Sequence, residues 1–573
     1  MSYTASDLFL DCLLSHGISH LFANFGSDHP GLIEAIAKAR AKGAKIPRII
    51  TCPNEMVGMS AAHGFWQASG IAQAVIAHVE CGTQALAGAV HNAAKGRAAI
   101  LIFAGSSPFT QDGELKGSRN EFIQWIQDVH DQRGIVRGYV KYDNELRTGR
   151  NLHQILRRAM QFSYSDPKGP VYLMGAREVM EETLTPLPAA ELAPLPQLAP
   201  TALAMSDVET IGRKLMAAER PLIVTSYLGR KPEAVTALTS LCERLGIGVL
   251  DSVPNWVNFS HQHPLYQGNQ WNEPQQNEAL NSADLVLVID SDVPWIPTLN
   301  RPAAGVPILH IDVDPLKEQM PLWQISPEAS YRADAATALT QIETWLATQP
   351  NNREKTGRRA QHWSALHYRH RAKLETKALV PLDNSITPDH FLSRLRLKLD
   401  EDCLIVSEGI SNYQPVLDQL APTRAGTLFA SGGGSLGYNG GAAIGVKLAR
   451  PDSTVIALTG DGSYMFSIPS SVHWMARRYK TPFLQIIFNN GGWKSPKLSA
   501  LAVHPNGAAA ASDDIDVSFE PASDYGAIAA AAGGAWHKRL KIASDIDSVI
   551  DEALKIVRHE QRCAVIEVIL ALL

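Results

Sequence analysis

The chain has 573 residues, 45% of them hydrophobic and 19% charged, and carries a net charge of −5 from 52 basic and 57 acidic residues. That length exceeds a single core and predicts three or four domains. The near balance of charge, with no basic block and no acidic tail, argues against nucleic acid or an anionic membrane as a partner.

The first segment, MSYTASDLFLDCLLSHG, reads as an amphipathic helix and not as a signal peptide, because Asp11 interrupts the apolar stretch and no small-residue cleavage site follows. No apolar run reaches transmembrane length. Cys12, Cys52, Cys81, Cys242, Cys403 and Cys563 are scattered without a CxxC, which suits reduced thiols in a cytoplasmic protein and gives no zinc site. Clear strand candidates then run along the chain: Ile100–Ala104, Val171–Met174, Leu222–Ser226, Leu285–Asp290, Ile308–Asp312, Leu404–Glu408, Thr454–Thr459, Leu484–Asn489 and Val565–Leu570. Continuous Val/Ile/Leu runs separated by helix-length segments predict an α/β fold of doubly wound parallel sheets covered on both faces. Residues 185–200, rich in Pro and Ala, read as an extended linker, and 346–386 as a second linker that starts loose and includes a helix. Three domains follow, at about 1–184, 200–345 and 386–573.

Three motifs carry chemistry. In the last domain a strand runs into Gly460-Asp461-Gly462-Ser463, and the next strand ends in Asn489-Asn490-Gly491-Gly492. Glycines flanking the aspartate let backbone approach a diphosphate, while the Asp and Asn side chains offer the few oxygen ligands that Mg²⁺ takes alongside phosphates. Strand ends side by side at the carboxyl edge of a parallel sheet are where such folds bind ligands. The plainer reading makes GDG a turn and NN a strand terminator. The second motif is Glu55 in IITCPNEMVGMSAAHGFWQASG, after a short strand and at the start of a helix of small residues; by position alone it is a helix-start carboxylate favoured by the dipole. The third is SGGGSLGYNGGAAIGVKLA, in which Gly432, Gly434 and Gly437 satisfy GxGxxG, a weak dinucleotide signal by itself.

Together these segments resemble the thiamine-diphosphate enzymes of the pyruvate decarboxylase, acetolactate synthase and benzoylformate decarboxylase group, whose signature is GDG, some 25–30 residues, then NN; here 26 residues, 463–488, lie between Gly462 and Asn489. The resemblance covers nearly the whole chain and implies a pyrimidine-binding domain, a middle domain and a diphosphate-binding domain. It implies that Asp461 and Asn490 bind Mg²⁺ by side chain and Gly492 by its carbonyl, and that Gly460, Gly462 and Ser463 meet the diphosphate. Glu55 would bind the aminopyrimidine ring nitrogen and drive the imino tautomer that removes the C2 proton. A Gly434 carbonyl would hold the exocyclic amine, and Leu436 would wedge the cofactor into a bent shape that makes the proton transfer intramolecular. It also implies a homodimer or homotetramer with the cofactor at the subunit interface.

The residues facing the reactive carbon narrow the group. Ser27 matches a serine of benzoylformate decarboxylase, and Asp28 stands one position from the slot where pyruvate decarboxylases keep an aspartate. His78 with Gly82-Thr83, and His263 before Pro264, are similar to that enzyme's two catalytic histidine segments; for each histidine the plainer reading is a hydrogen-bonded loop or core residue. Phe25, Glu80 and Cys81 depart from the pattern, and Lys494 and Lys497 read either as carboxylate-pairing groups or as solvated surface lysines. Some relatives hold FAD or ADP in the middle domain, but VTSYLGRKPEAV and IDVDPLKEQ show no nucleotide fingerprint, so no FAD is expected. The leading expectation is a 2-oxo-acid decarboxylase with carboligase ability toward an aldehyde. The alternatives are an acetolactate-synthase-like ligase or an acyloin (benzaldehyde) lyase, then a nucleotide-binding oxidoreductase, then a non-catalytic scaffold; the last two leave Glu55, Asp461 and Asn490 unexplained.

Overall fold

The structure is a computed structural model that describes residues 2–272, 275–512 and 515–572. Three six-stranded, all-parallel sheets follow one another along the chain. The first holds β1 (His20–Ala23), β2 (Arg48–Thr51), β3 (Gln73–Ala77), β4 (Ile100–Ser106), β5 (Asp143–Leu146) and β6 (Val171–Ala176), in the order β2-β1-β3-β4-β6-β5. The second holds β7 (Pro221–Thr225), β8 (Gly248–Ser252), β9 (Tyr266–Gln270), β10 (Leu285–Ile289), β11 (Ile308–Asp312) and β12 (Ala329–Arg332), in the order β12-β11-β10-β7-β8-β9. The third holds β13 (Cys403–Glu408), β14 (Leu428–Ala430), β15 (Thr454–Gly460), β16 (Leu484–Asn489), β17 (Trp536–Leu540) and β18 (Ala564–Ile569), in the order β14-β13-β15-β16-β18-β17. Central strands such as β4, β10 and β16 are buried along their whole length, as parallel strands covered by helices on both faces must be.

The first and third sheets share one strand order, position for position, and their equivalent helices pack on each other. The helix Glu55–Ser69 follows β2, and the helix Tyr438–Ala449 follows β14. Asn54 caps the first by accepting the Met56 N–H, and Gly70 ends it in the left-handed region at φ 69°. A Cβ on Gly64 would lie 2.2 Å from the Ala442 carbonyl oxygen, and one on Gly445 would lie 1.8 Å from that of Ala61. The two contacts use the same pair of positions in exchanged roles, as a local two-fold axis between equivalent helices requires. The small residues read from the sequence therefore serve backbone-to-backbone packing, and one apolar core runs from Phe22 and Met59 through Ala442 to Val455.

The middle domain has its own core, closed by Trp363 of the 25-residue helix Arg353–Lys377, which lies within the second linker region. Buried Arg359 of that helix donates to the carbonyls of Leu245, Met216 and Ala218, satisfying acceptors at two helix ends. The first linker region contains a short helix, Ala189–Leu192. Among the described residues no helix is long and apolar enough to cross a membrane.

Candidate active site

Parallel strands place the chemistry-bearing residues at carboxyl edges. β15 pairs with β16 with Gly460 opposite Phe488, so Asp461 and the Asn489-Asn490 pair emerge side by side. The Asp461 carboxylate is buried. Its Oδ1 accepts the Gly462 N–H at 2.8 Å, and its Oδ2 accepts those of Gly491 at 2.9 Å and Gly492 at 3.0 Å. Burial pushes its pKa up to about 6, against the pull of those N–H bonds. The two asparagines divide their roles. Asn489 donates to Glu567 Oε1 at 2.7 Å and accepts the Gly491 N–H, which commits it to the sheet. Among the described residues, Asn490 Oδ1 has only a long contact, 3.3 Å, from the Gly492 N–H. Gly462 is glycine for a local reason: a Cβ there would come within 2.3 Å of the Trp493 indole. Gly434 has open space where a Cβ would stand, and Gly460 nearly so.

At the first sheet, Glu55 is buried, and Asn24 Nδ2 donates to its Oε1 at 3.0 Å. Gly82 makes room for it, since a Cβ there would lie 2.4 Å from that oxygen. His78 immediately precedes the helix Val79–Lys95 and shares a 2.6 Å hydrogen bond between its Nδ1 and Asp28 Oδ1. Asp28 Oδ2 accepts the Val79 N–H at 3.0 Å, at a residue with φ 35°, a costly conformation for a β-branched side chain. His29 Nδ1 also lies 3.0 Å from Asp28 Oδ1 and 3.2 Å from the Gly26 nitrogen, so both rings face the carboxylate and His78 makes the shorter bond. Burial alone would raise the Asp28 carboxyl, yet the two rings hold it below the usual carboxylate range. The Asp28 hydrogen bond raises His78 above the ordinary imidazole value, opposing burial, with Glu55 and Glu80 adding to the rise. Thr83 Oγ1 bonds Val79 O and the Tyr172 hydroxyl, and Gln132 bonds Tyr172 in turn, so the His78 turn is braced from behind. The Ser27 hydroxyl oxygen is buried and has no hydrogen-bond partner among the described residues.

The structure thus gathers Glu55, Ser27, Asp28 and His78 at one carboxyl edge and Asp461, Ser463, Asn490 and Gly492 at another. The glycine run lies against the first domain: Asn92 donates to Ser435 O at 2.8 Å and accepts the Ser435 N–H at 3.1 Å, placing Gly434 and Leu436 over the helix that His78 starts. His263 stands elsewhere. Its Nε2 is 3.3 Å from Glu243 and its Nδ1 accepts the Leu265 N–H, both within the middle domain. Lys494 is exposed at the first position of the helix Lys494–Val503.

Glu408, read in the sequence only as a strand residue, proves central to the glycine run. It is buried at the end of β13 and accepts the N–H of Gly437 at 2.7 Å and of Asn439 at 2.8 Å. It thereby fixes the turn at Gly437, φ 93°, from which the helix Tyr438–Ala449 starts. Burial pushes its pKa up to about 8, although the N–H bonds pull the other way. A Glu closing a strand of Val and Ile, with glycines some thirty residues on, was the only available signal.

Family models match three consecutive stretches: "Thiamine pyrophosphate enzyme, N-terminal TPP binding domain" over residues 3–135, the central domain over 208–342 and the C-terminal TPP binding domain over 409–568. The chain belongs to the thiamine pyrophosphate enzyme family. Among similar proteins, a 2-hydroxyacyl-CoA lyase 2 of Danio rerio is 23% identical over 526 residues, spanning 84% of this chain and 79% of that protein. A benzoylformate decarboxylase of Pseudomonas aeruginosa is 24% identical over 501 residues, 84% of this chain and 85% of its own. A probable acetolactate synthase large subunit of Methanococcus aeolicus is 24% identical over 463 residues, 76% and 73% of the two chains. Among solved structures, a thiamine diphosphate-dependent 4-hydroxybenzoylformate decarboxylase of Rhodococcus jostii RHA1 superposes with a TM-score of 0.80 at 20% identity, covering 100% of this chain and 99% of that one. The family acts on 2-oxo acids or acyloins, and the two TPP binding domains are those that carry Glu55 and Asp461.

The residues present fit the family's cofactor. Asp461 is a buried carboxylate surrounded by backbone N–H groups with no cationic side chain among the described residues bonded to it, Asn490 has an oxygen to spare beside it, and Gly434 faces open space.

Proposed function

We propose that this enzyme is a Mg²⁺-dependent decarboxylase of 2-oxo acids with carboligase ability, its proton chemistry carried by Glu55 and His78. When bound, thiamine diphosphate supplies an acidic C2–H and a carbon centre able to hold the electron pair left as CO₂ departs. Asp461, Asn490 and the Gly492 carbonyl would hold Mg²⁺, and Gly460, Gly462 and Ser463 would meet the diphosphate. Gly434 and Leu436 seat the pyrimidine, and Glu55 holds and returns a proton at its ring nitrogen. The observation that carries the decarboxylase reading is the Asp28–His78 pair beside Glu55. Asp28 fixes the His78 Nδ1–H, so Nε2 is the nitrogen left to exchange a proton with a substrate carboxylate or a newly formed carbanion. Ser27, with its unpartnered hydroxyl in the same loop, binds the substrate carboxylate. His263 would join the reaction only through a rearrangement that releases Glu243.

The active unit in this reading is a homodimer, or a tetramer of two dimers, with each cofactor between Glu55 of one subunit and Asp461 of the other. Exposed Phe122, Trp125 and Ile126 on the first domain and Met465 and Phe466 on the third supply apolar surface for such an interface. Six free cysteines suit a cytoplasmic, reducing compartment.

The test is a product panel. Protein loaded with thiamine diphosphate and Mg²⁺ is given a series of 2-oxo acids, with and without an aldehyde, and CO₂ and organic products are read by mass spectrometry. CO₂ release with aldehyde or hydroxyketone products is expected. Cleavage of acyloins or 2-hydroxyacyl thioesters without any decarboxylation would assign the lyase reaction instead.

A further inference from the structure

An open α/β sheet takes its ligand at the switch point, where strand order reverses at the carboxyl edge. In the middle domain that point lies between β7, which leads to β8, and β10, which leads the other way to β11. The resemblance drawn from the sequence makes a nucleotide the ligand to test for in this domain, so what fills the crevice here matters.

It is filled by the chain itself. Tyr227, two residues beyond β7, is buried with its hydroxyl bonded to Asp312 at the end of β11. Arg97 reaches in from the first domain, just after the helix Val79–Lys95, and lays its guanidinium 4.0 Å from the centre of the Tyr227 ring. It pairs with Asp292 at 3.1 Å and with Asp312 at 3.5 Å, and bonds the Tyr227 hydroxyl. Lys317 Nζ lies 2.7 Å from both Asp292 and Asp312 and 3.1 Å from the Tyr227 hydroxyl. Arg230 pairs with Asp290, the first residue after β10. Three cations meet three carboxylates, which leaves no net positive charge for a diphosphate.

The space next to the crevice is walled mainly by apolar side chains. A cavity of about 900 Å³ beside Asp292 is walled by Trp295, Trp323, Met320 and Leu322, and its one ammonium, Lys95, donates to Gln319 O. In the neighbouring cleft, Lys141 donates to the carbonyls of Phe162 and Ser165 and Lys168 to that of Tyr164, with the carboxylates of Asp166, Asp314 and Glu318 lining the same cleft.

We propose that the switch-point crevice of the middle domain is a closed ionic fastening between the first and second domains, plugged by Tyr227, and that it takes no adenine nucleotide. A buried charge network of this kind resists loss of any one member, because the partner left behind is an unpaired buried charge.

Two measurements on the same holoenzyme test this. Thiamine diphosphate and Mg²⁺ occupy the catalytic diphosphate site, so ADP and FAD titrated by calorimetry report on the middle domain. No binding heat at millimolar nucleotide is expected. Micromolar binding of either to the wild type would overturn the proposal. Thermal unfolding is then compared for Arg97→Met, Asp312→Asn and the double variant. Each single change should lower Tm by several degrees, and the double should fall no further than the worse single; strictly additive losses would overturn the fastening. Should the charge variants fail to fold, Tyr227→Phe keeps the plug and removes only the shared hydroxyl. A lowered Tm with nucleotide binding still absent is expected of it, and an unchanged Tm contradicts the network.

Discussion

At the residue scale, the site rests on side chains whose partners have been assigned elsewhere or withheld. Asn489 and Asn490 are neighbours of one type, yet only Asn489 is tied to Glu567. Asn490→Ala should therefore abolish thiamine diphosphate binding in calorimetry with little change in the apo-protein Tm. Asn489→Ala should instead lower stability by about 1–3 kcal/mol, the cost of leaving the buried Glu567 Oε1 without its donor, while the Gly491 N–H keeps Asp461 Oδ2. Equal effects of the two on cofactor affinity would contradict the assignment. The Asp28–His78 pair makes a pH-dependent statement. Asp28 raises the pKa of His78, so a role of the imidazolium as acid persists to higher pH than an isolated histidine would allow and is lost as pH rises through that raised value. In Asp28→Asn the basic limb of kcat/KM should move to lower pH. A profile that keeps its position would detach His78 from the proton transfer. Sequence alone named His78 and Asp461 from motif position, but it left the direction of Asp28 open, because one residue of loop displacement reverses where a side chain points. Glu408 was read only as the end of a strand, since its function lies in two backbone N–H groups about thirty residues away.

At the element scale, the nine clear strand candidates are all interior strands of the three sheets. Interior parallel strands are apolar on both faces and appear as continuous Val/Ile/Leu runs. Of the six edge strands, β2 was read only as the short strand ahead of Glu55. The others are five residues at most; Asp143–Leu146, Ala329–Arg332 and Trp536–Leu540 are partly exposed and mixed in composition, while Tyr266–Gln270 is buried but polar and Leu428–Ala430 has only three residues, so none forms a continuous Val/Ile/Leu run. The helix crossing between the two outer domains shows the same division. Runs of Gly and Ala were visible, but their partner was not, because a small-residue stripe suits a ligand and a backbone equally. The structure makes the partner another helix, and the consequence is testable. Gly445→Ala places a methyl 1.8 Å from the Ala61 carbonyl oxygen, a rigid backbone atom, and should destabilise by about 1–3 kcal/mol or more. Thermal unfolding of the variant checks it; an unchanged Tm would mean that the two helices do not cross this closely.

At the scale of the whole molecule, two equivalent domains are related by a local two-fold, and in the proposed site each contributes half, Glu55 from one and Asp461 with Asn490 from the other. Within one chain Met56 already lies against Gly437, where a Cβ would be 3.0 Å from its methyl, so a same-chain site competes with one shared between subunits. Mixed dimers decide between them. Glu55→Gln should still bind thiamine diphosphate but lose about 10²–10⁴-fold in exchange of the cofactor's C2 proton for deuterium, since Gln cannot shuttle a proton. Asp461→Ala should fail to hold the cofactor. If each site draws Glu55 from one subunit and Asp461 from the other, a heterodimer of the two variants has one site with both defects and one with neither. C2 exchange in isolated heterodimers, read by quenched-flow NMR, is predicted to return to about half the wild-type amplitude at the wild-type rate; heterodimers as inactive as the parent variants would contradict the shared site.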